Sequence, residues 1–122
     1  MSKVVHFELP ADDPKRAIEF YETVFGWTVT GWEGPMDYWL VTAGPDDEAG
    51  INGAITRRTT DGQVTTCSMS SSSVDESAKK VVKAGGSVIT PKRAVLGVGY
   101  VIMCKDTEGN VFGIIEFDPS AK

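Results

Sequence analysis

The chain has 122 residues, which suits one compact domain or two very small, fused modules. With 41% hydrophobic residues and a formal net charge of −5, its composition is that of a soluble globular protein and excludes a disordered chain. Its basic residues form no cluster, so it lacks the concentrated positive surface that nucleic acids require, and we expect no nucleic-acid partner. No apolar run is long enough to cross a bilayer and no signal peptide is recognisable, so we expect a cytoplasmic protein without a membrane partner.

The first strand predicts two chemically different faces. Residues 3–9 alternate in polarity, as a half-buried strand does. Phe7 and Leu9 are expected to face the core. His6, the only histidine, and Glu8 are expected to lie side by side on the opposite face.

A short helix should follow, closed by a glycine. Asp12 or Asp13 can cap it, because an aspartate side chain accepts a backbone hydrogen bond that the first turn leaves unpaired. Pro14 suits the first turn, where its missing N–H costs nothing. Gly26 supplies the stop. Apolar residues recur at helical spacing between cap and stop: Ala17, Ile18, Tyr21, Val24 and Phe25.

The rest of the first half predicts three strands. The runs WTVTGWE, MDYWLVTAG and INGAITR are rich in β-branched and aromatic residues. Turn signals at Gly34-Pro35 and in residues 44–47 separate them. Tyr38 and Trp39 are adjacent, so their side chains must face opposite sides of the sheet. The sequence does not decide which of the two faces the cavity, nor which side Trp32 faces.

The second half repeats this order of elements. Val64–Ser70 alternates, a helix capped by Ser72 or Ser73 follows, and Gly85-Gly86 ends it. Three strands come next, at SVIT, GYVIMCK and NVFGIIEF, and the last two are joined by a turn at residues 106–110. An offset of sixty residues relates the two halves and lays His6 on Thr66. The pattern indicates an internal duplication.

The two cysteines, Cys67 and Cys104, lie in separate apolar strand-like runs without CxxC spacing. We therefore expect buried thiols rather than a zinc or redox pair.

Three runs, HFELPADDPKRAIEFYETVFGW, VVKAGGSV and KDTEGNVFGIIE, resemble the vicinal oxygen chelate superfamily of glyoxalases, bleomycin-resistance proteins and extradiol dioxygenases. The chain is most similar to its small, single-domain glyoxalase-related members. The resemblance implies an α+β fold of two βαβββ modules, with curved mixed sheets enclosing a cavity and helices outside. It implies one domain over residues 1–122, with modules at about 1–58 and 63–118, and a homodimer.

Metal-binding members of that superfamily take ligands from the first and last strands of each module. His6 matches the first such position, but the resemblance lays Thr66 and Gly113 on two of the others. Glu116 follows three residues later and, by alternation, should point away from the cavity unless a bulge intervenes. We therefore predict no cofactor; a divalent metal, if bound, would be held by His6 with Glu8 or Glu116.

The leading hypothesis is a small-molecule-binding protein of the glyoxalase/bleomycin-resistance type with a degenerate metal site and an unknown reaction. Its alternative is a metal-dependent lyase, isomerase or dioxygenase, and a third is a structural or interaction module, so whether the protein is an enzyme is left open. His6 is the best candidate for catalysis, because imidazole titrates near physiological pH. The predicted ligand contacts are His6, Glu8, Thr66, Ser68 and Ser70.

Overall fold

The computed structural model describes residues 2–31 and 37–122, so the predicted turn at Gly34-Pro35 and the side chain of Trp32 lie outside the described residues. The chain divides into two compact units. The N-terminal unit is His6–Thr65, and the C-terminal unit is Thr66–Lys122 with the residues up to Val5. Each unit runs strand, helix and then further strands. The predicted α+β class with two βαβββ modules is confirmed.

The N-terminal unit carries four strands and one helix. Their bounds are β1 Val4–Ala11, which belongs to this unit from His6 onward, α1 Pro14–Phe25, β2 Thr28–Gly31, β3 Tyr38–Thr42 and β4 Gly53–Arg57. The strand order is β2-β3-β4-β1, with β1 parallel to β4 and the other neighbours antiparallel. The single parallel pair follows from the helix, which carries the chain back to the same end of the sheet before the next strands begin.

Helix α1 covers one face of this sheet. The Asp13 side chain caps it by accepting a hydrogen bond from the Arg16 N–H (3.2 Å), and Gly26 ends it with φ +72°, so the predicted cap and stop are confirmed. The core between helix and sheet combines buried residues of the strands with half-buried neighbours: Ala11, Val41 and Ile55 with Phe7, Leu9, Ala17, Ile18, Tyr21, Trp27, Val29, Trp39 and Ala43.

The C-terminal unit contains one strand more than the sequence predicts. Its elements are β5 Thr66–Ser70, α2 Val74–Lys83, β6 Ser87–Val88, β7 Arg93–Val95, β8 Gly99–Lys105 and β9 Val111–Phe117. Strand β5 is parallel to β9, β8 is antiparallel to β9, and both β6 and β7 pair with β8. The strand predicted at SVIT stops after two residues, because the Ile89 and Thr90 amides both donate to the Met103 carbonyl and Pro91 has no N–H.

The core of this unit consists of Val74, Ile102, Cys104 and Ile114, with Ala78, Val81, Tyr100 and Phe112 packed against it. Cys104 is fully buried, and burial raises the pKa of its thiol. Cys67 is exposed, so the expectation of two buried thiols is wrong for Cys67. The reason is that buried residues of α2, β8 and β9 build this core and no buried residue of β5 belongs to it.

Of the two serines predicted as the cap of α2, it is Ser73 that accepts a hydrogen bond from the Glu76 N–H (3.2 Å). In the part of the chain that the structure describes, no helix is long and apolar enough to cross a membrane.

Candidate functional site

Three polar side chains converge on the face of the N-terminal sheet that α1 does not cover. Phe7, Leu9 and Trp39 pack into the core on the helix side. Because successive side chains of a strand alternate between faces, His6 and Glu8 of β1 and Tyr38 of β3 point to the other side. Strand β4 lies between β1 and β3, and its register aligns the two outer strands.

The Tyr38 hydroxyl links the other two side chains. It lies 2.8 Å from His6 Nε2 and donates a hydrogen bond to Glu8 Oε2 at 2.9 Å. His6 Nε2 and Glu8 Oε2 are themselves 3.5 Å apart. The His6 and Glu8 side chains are 25% and 35% exposed, so the cluster is held by the fold and still accessible from solvent. We call these three residues the His6 cluster.

Tyr38 is the member of the cluster that sequence reasoning missed. Alternation established only that Tyr38 and Trp39 face opposite sides of the sheet. The structure resolves this: Trp39 packs in the core and the Arg57 guanidinium lies 6.0 Å from its ring centroid, whereas Tyr38 joins the polar face. The strand period in the sequence shows only that neighbouring side chains face opposite sides. Placing Tyr38 beside His6 also requires the register of two non-consecutive strands, which no local pattern reports.

The predicted hydroxyl contacts lie on β5, in the C-terminal unit. Ser70 Oγ accepts a hydrogen bond from the Lys3 N–H (3.2 Å), and the Ser70 N–H donates to the Lys3 carbonyl (2.9 Å). Ser68 is buried, and Thr66 is half-buried at the start of the strand. Binding of a ligand by Thr66, Ser68 and Ser70 stays a prediction.

Gly113 stands where the resemblance expects a glutamate ligand, and the space above it is filled. It lies opposite Ser68 in the parallel pairing of β5 with β9. A Cβ atom added at Gly113 would overlap Ser68 Oγ, and it would lie 3.2 Å from Ser68 Cβ and 3.3 Å from Met103 Sδ. The position therefore offers no ligand and no room for one unless its neighbours shift.

Glu116, the predicted alternative metal ligand, forms a hydrogen bond to the start of helix α2 instead. Its Oε1 accepts a hydrogen bond from the Val74 N–H at 3.0 Å, at the first residue of α2. The register places Glu116 opposite Tyr100, which packs against the core on the helix side. Its carboxylate thus satisfies one of the amides that a helix start leaves unpaired.

A catalytic divalent metal needs at least three protein ligands as well as open positions. Among residues 2–31 and 37–122, no three His, Cys, Asp or Glu side chains are grouped so that they could hold one ion. The His6 cluster supplies one imidazole and one carboxylate, and its third member is a phenol. The donor set of the described residues therefore does not fit the metal centre that the resemblance implies.

A separate cavity of about 440 Å³ lies beside the start of α1, on the helix side of the N-terminal sheet. Arg58 is one of the charged residues that line it. The Arg58 guanidinium pairs with Asp12 (2.9 Å) and donates to the carbonyls of Pro10 (3.3 Å) and Gln63. These contacts tie the segment after β4 to the end of β1, so they give this arginine a structural role.

Comparison with known families and structures agrees with this fold. The model of the Glyoxalase/Bleomycin resistance protein/Dioxygenase superfamily matches residues 3–114. None of the curated proteins matches the sequence.

Solved structures resemble the fold over nearly the full chain. Methylmalonyl-CoA epimerase from Mycobacterium tuberculosis has a TM-score of 0.74 at 13% identity, covering 95% of this chain and 88% of that one. A Streptomyces coelicolor methylmalonyl-CoA epimerase variant in complex with 2-nitronate-propionyl-CoA has a TM-score of 0.74 at 14% identity, with 98% and 97% coverage. A glyoxalase/bleomycin resistance protein/dioxygenase superfamily member from Vibrio splendidus has a TM-score of 0.66 at 16% identity, with 94% and 98% coverage. At these identities the likeness concerns the fold alone.

Proposed function

We propose that this chain, which belongs to the glyoxalase/bleomycin resistance protein/dioxygenase superfamily, binds a small molecule at the His6 cluster without a superfamily-type metal centre. The observation that carries the proposal is the Tyr38 hydroxyl bridging His6 Nε2 and Glu8 Oε2 on the face that α1 leaves uncovered. Polar groups that are partly desolvated and pre-positioned in this way bind a ligand at a low ordering cost.

The metal-free part of the proposal rests on the donor set. The resemblance lays Gly113 and Thr66 on positions where the superfamily uses side-chain ligands, and Glu116 is engaged at the start of α2. We expect protein purified without chelator or metal-affinity resin to contain well under one equivalent of divalent metal, measured by plasma mass spectrometry. We also expect the same content in His6→Ala. One equivalent retained by the wild type and lost from His6→Ala would overturn this part.

The binding part is tested by protein-observed NMR with a library of small, neutral amides and alcohols. We expect saturable shifts at His6, Glu8 and Tyr38. Losing one hydrogen bond to a charged group costs about 1.5–3 kcal/mol, so we expect Kd to rise about tenfold or more in Glu8→Ala. Glu108→Gln, in the turn between β8 and β9, is the control and should leave Kd unchanged. A wild type in which no fragment shifts these residues would contradict binding at this site.

The hydroxyl groups of Thr66, Ser68 and Ser70 form a further part of the proposal. Thr66→Val keeps the shape of the side chain and removes its hydroxyl, so the same titrations measure its contribution. An unchanged Kd in Thr66→Val would remove Thr66 from the proposed site.

A second candidate function is a metal-dependent isomerase, lyase or dioxygenase. The observation in its favour is the fold likeness to methylmalonyl-CoA epimerases, among them structures in complex with methylmalonyl-CoA or with 2-nitronate-propionyl-CoA. In that case a bound metal would polarise the oxygen of a substrate carbonyl. Epimerisation of methylmalonyl-CoA that appears only after addition of Co²⁺, Mn²⁺ or Ni²⁺, and that disappears in His6→Ala, would favour this candidate over the first.

A further inference from the structure

The proton count of the His6 cluster determines which nitrogen of His6 carries hydrogen. A tyrosine hydroxyl has one proton, and an ionised carboxylate can only accept. At 2.9 Å from Glu8 Oε2, the Tyr38 hydroxyl gives its proton to Glu8, because a hydrogen bond to an ionised acceptor is the stronger one. The opposite choice would leave two oxygen lone pairs facing each other at that distance.

His6 must then donate from Nε2. The Tyr38 oxygen, 2.8 Å away, has no second proton to offer, and Glu8 Oε2, 3.5 Å away, also accepts. An unprotonated Nε2 would point its lone pair at two acceptor oxygens, whereas an Nε2–H can donate a hydrogen bond to them. In the neutral imidazole this leaves the proton on Nε2 and the lone pair on Nδ1.

Nδ1 of His6 has no hydrogen-bond partner among the described residues, and no buried side-chain nitrogen or oxygen there lacks a partner. An unpartnered Nδ1 must therefore be accessible to solvent. The His6 cluster thus presents an acceptor nitrogen to solvent and keeps its N–H inside the cluster.

We propose that Tyr38 is a positioning residue that holds His6 as the Nε2–H tautomer, so that Nδ1 accepts a hydrogen bond from an O–H or N–H group of the bound molecule. This inference rests on the proposed function and names its ligand class. The ligand is a neutral or cationic hydrogen-bond donor rather than a carboxylate or phosphate, because an acceptor lone pair and the nearby Glu8 carboxylate both repel anions.

The test uses the single histidine of the chain, which makes the imidazole signals unambiguous. In ¹⁵N-labelled protein, at a pH where the imidazole is neutral, we expect one protonated nitrogen, Nε2, with a bound proton that exchanges slowly enough to be seen, and an unprotonated Nδ1. The Nε2 proton signal should disappear in Tyr38→Phe, which removes the acceptor oxygen. It should persist in Tyr100→Phe, which removes a hydroxyl from the other unit.

Glu8 provides a second pair of variants, so the test does not depend on Tyr38→Phe folding. Glu8→Gln keeps an oxygen that can accept from Tyr38 and should retain the Nε2 signal, whereas Glu8→Ala should lose it. A purely structural Tyr38 would leave the tautomer unchanged in every variant. A wild type protonated at Nδ1 would overturn the inference.

The ligand class is tested with matched pairs of fragments, each a primary amide and its corresponding carboxylate. Amides should shift the Nδ1 resonance of His6 and bind at least tenfold more tightly than their carboxylates. Carboxylates that bind as well or better would overturn the inference and leave the proposed function standing. If neither kind of fragment binds, the proposed function and the ligand class fail together, and the tautomer result is unaffected.

Discussion

At position 113 a glycine stands where the ligand pattern that this chain resembles has a side chain. Ser68 Oγ of β5 fills the space above Gly113 of β9. The volume that a ligand side chain at position 113 would need is therefore already occupied. Replacing the glycine alone would not restore a ligand, because the new side chain would have to displace Ser68 first.

Gly113→Ala should therefore destabilise the protein. Adding a methyl group to an occupied space costs about 1–3 kcal/mol, measured as the free energy of unfolding in urea. Ser68→Ala removes the overlapping Oγ, so the double variant should be less destabilised than the sum of the two single changes. Gly31→Ala, where an added Cβ meets no atom of the described residues within 4 Å, is the matched control. A Gly113→Ala variant as stable as Gly31→Ala would contradict this account of the packing.

Among the elements, the turn between β8 and β9 was predicted from its local sequence. In the structure its hydrogen bonds converge on the Asp106 carboxylate. The Asp106 carboxylate accepts from the Glu108 N–H (2.8 Å) and from the N–H (2.9 Å) and side-chain amide (3.0 Å) of Asn110. Gly109 takes φ +85°, which the predicted turn requires. The side-chain hydrogen bond from Asn110, followed by the backbone amides, lowers the pKa of Asp106 below its ordinary value of 3.8.

Because the pKa of Asp106 is lower in the folded state, the unfolded chain binds a proton at this carboxylate more readily than the folded protein does. The hydrogen bonds of Asp106 therefore stabilise the fold above the pKa of the unfolded state. This stabilisation is lost as the pH falls through the pKa of the folded state. We expect the free energy of unfolding of the wild type to decrease below about pH 4, and less so in Asp106→Asn. Urea unfolding between pH 2.5 and 7 measures this. Asp46→Asn, whose side chain has no hydrogen bond among the described residues, should follow the wild type. Parallel curves for wild type and Asp106→Asn would refute the assignment.

On the scale of the whole molecule, each unit carries large apolar side chains that are exposed. Phe20 and Phe25 of α1 are more than half exposed, as are Leu96 and Phe117 in the C-terminal unit. Association between copies would remove such surface from water, which is favourable. The boundaries of the two modules near residues 58 and 63 stay a prediction.

We predict a homodimer, as the family resemblance implies. Sedimentation equilibrium at micromolar concentrations should return twice the 13.1 kDa mass of the chain. Since apolar burial drives this association, the dimer should persist at 0.5 M NaCl, where exposed ion pairs are screened. A mass of one chain over the whole concentration range would contradict the prediction.

Much of the fold was predictable because its signals are local. The alternation in β1, the Asp13 cap, the Gly26 stop and the sixty-residue repeat can each be seen within a short window, and the structure confirms the cap and the stop. Strand β7 was missed because it has three residues and depends on pairing with β8 rather than on its own pattern. The exposure of Cys67 was missed because helix coverage is a tertiary property.

The candidate site was predictable only in part. By itself, the sequence indicated the superfamily through the resemblance of three runs. It also determined most of the order of elements and the placement of His6 and Glu8 on one face, because period and spacing can be read along the chain. Only the tertiary structure decided that Tyr38, thirty residues beyond Glu8, places its hydroxyl between them, and that Ser68 closes the space above Gly113. Both depend on the register between strands that are not consecutive, which is set by packing over the whole sheet and is not encoded in any single segment.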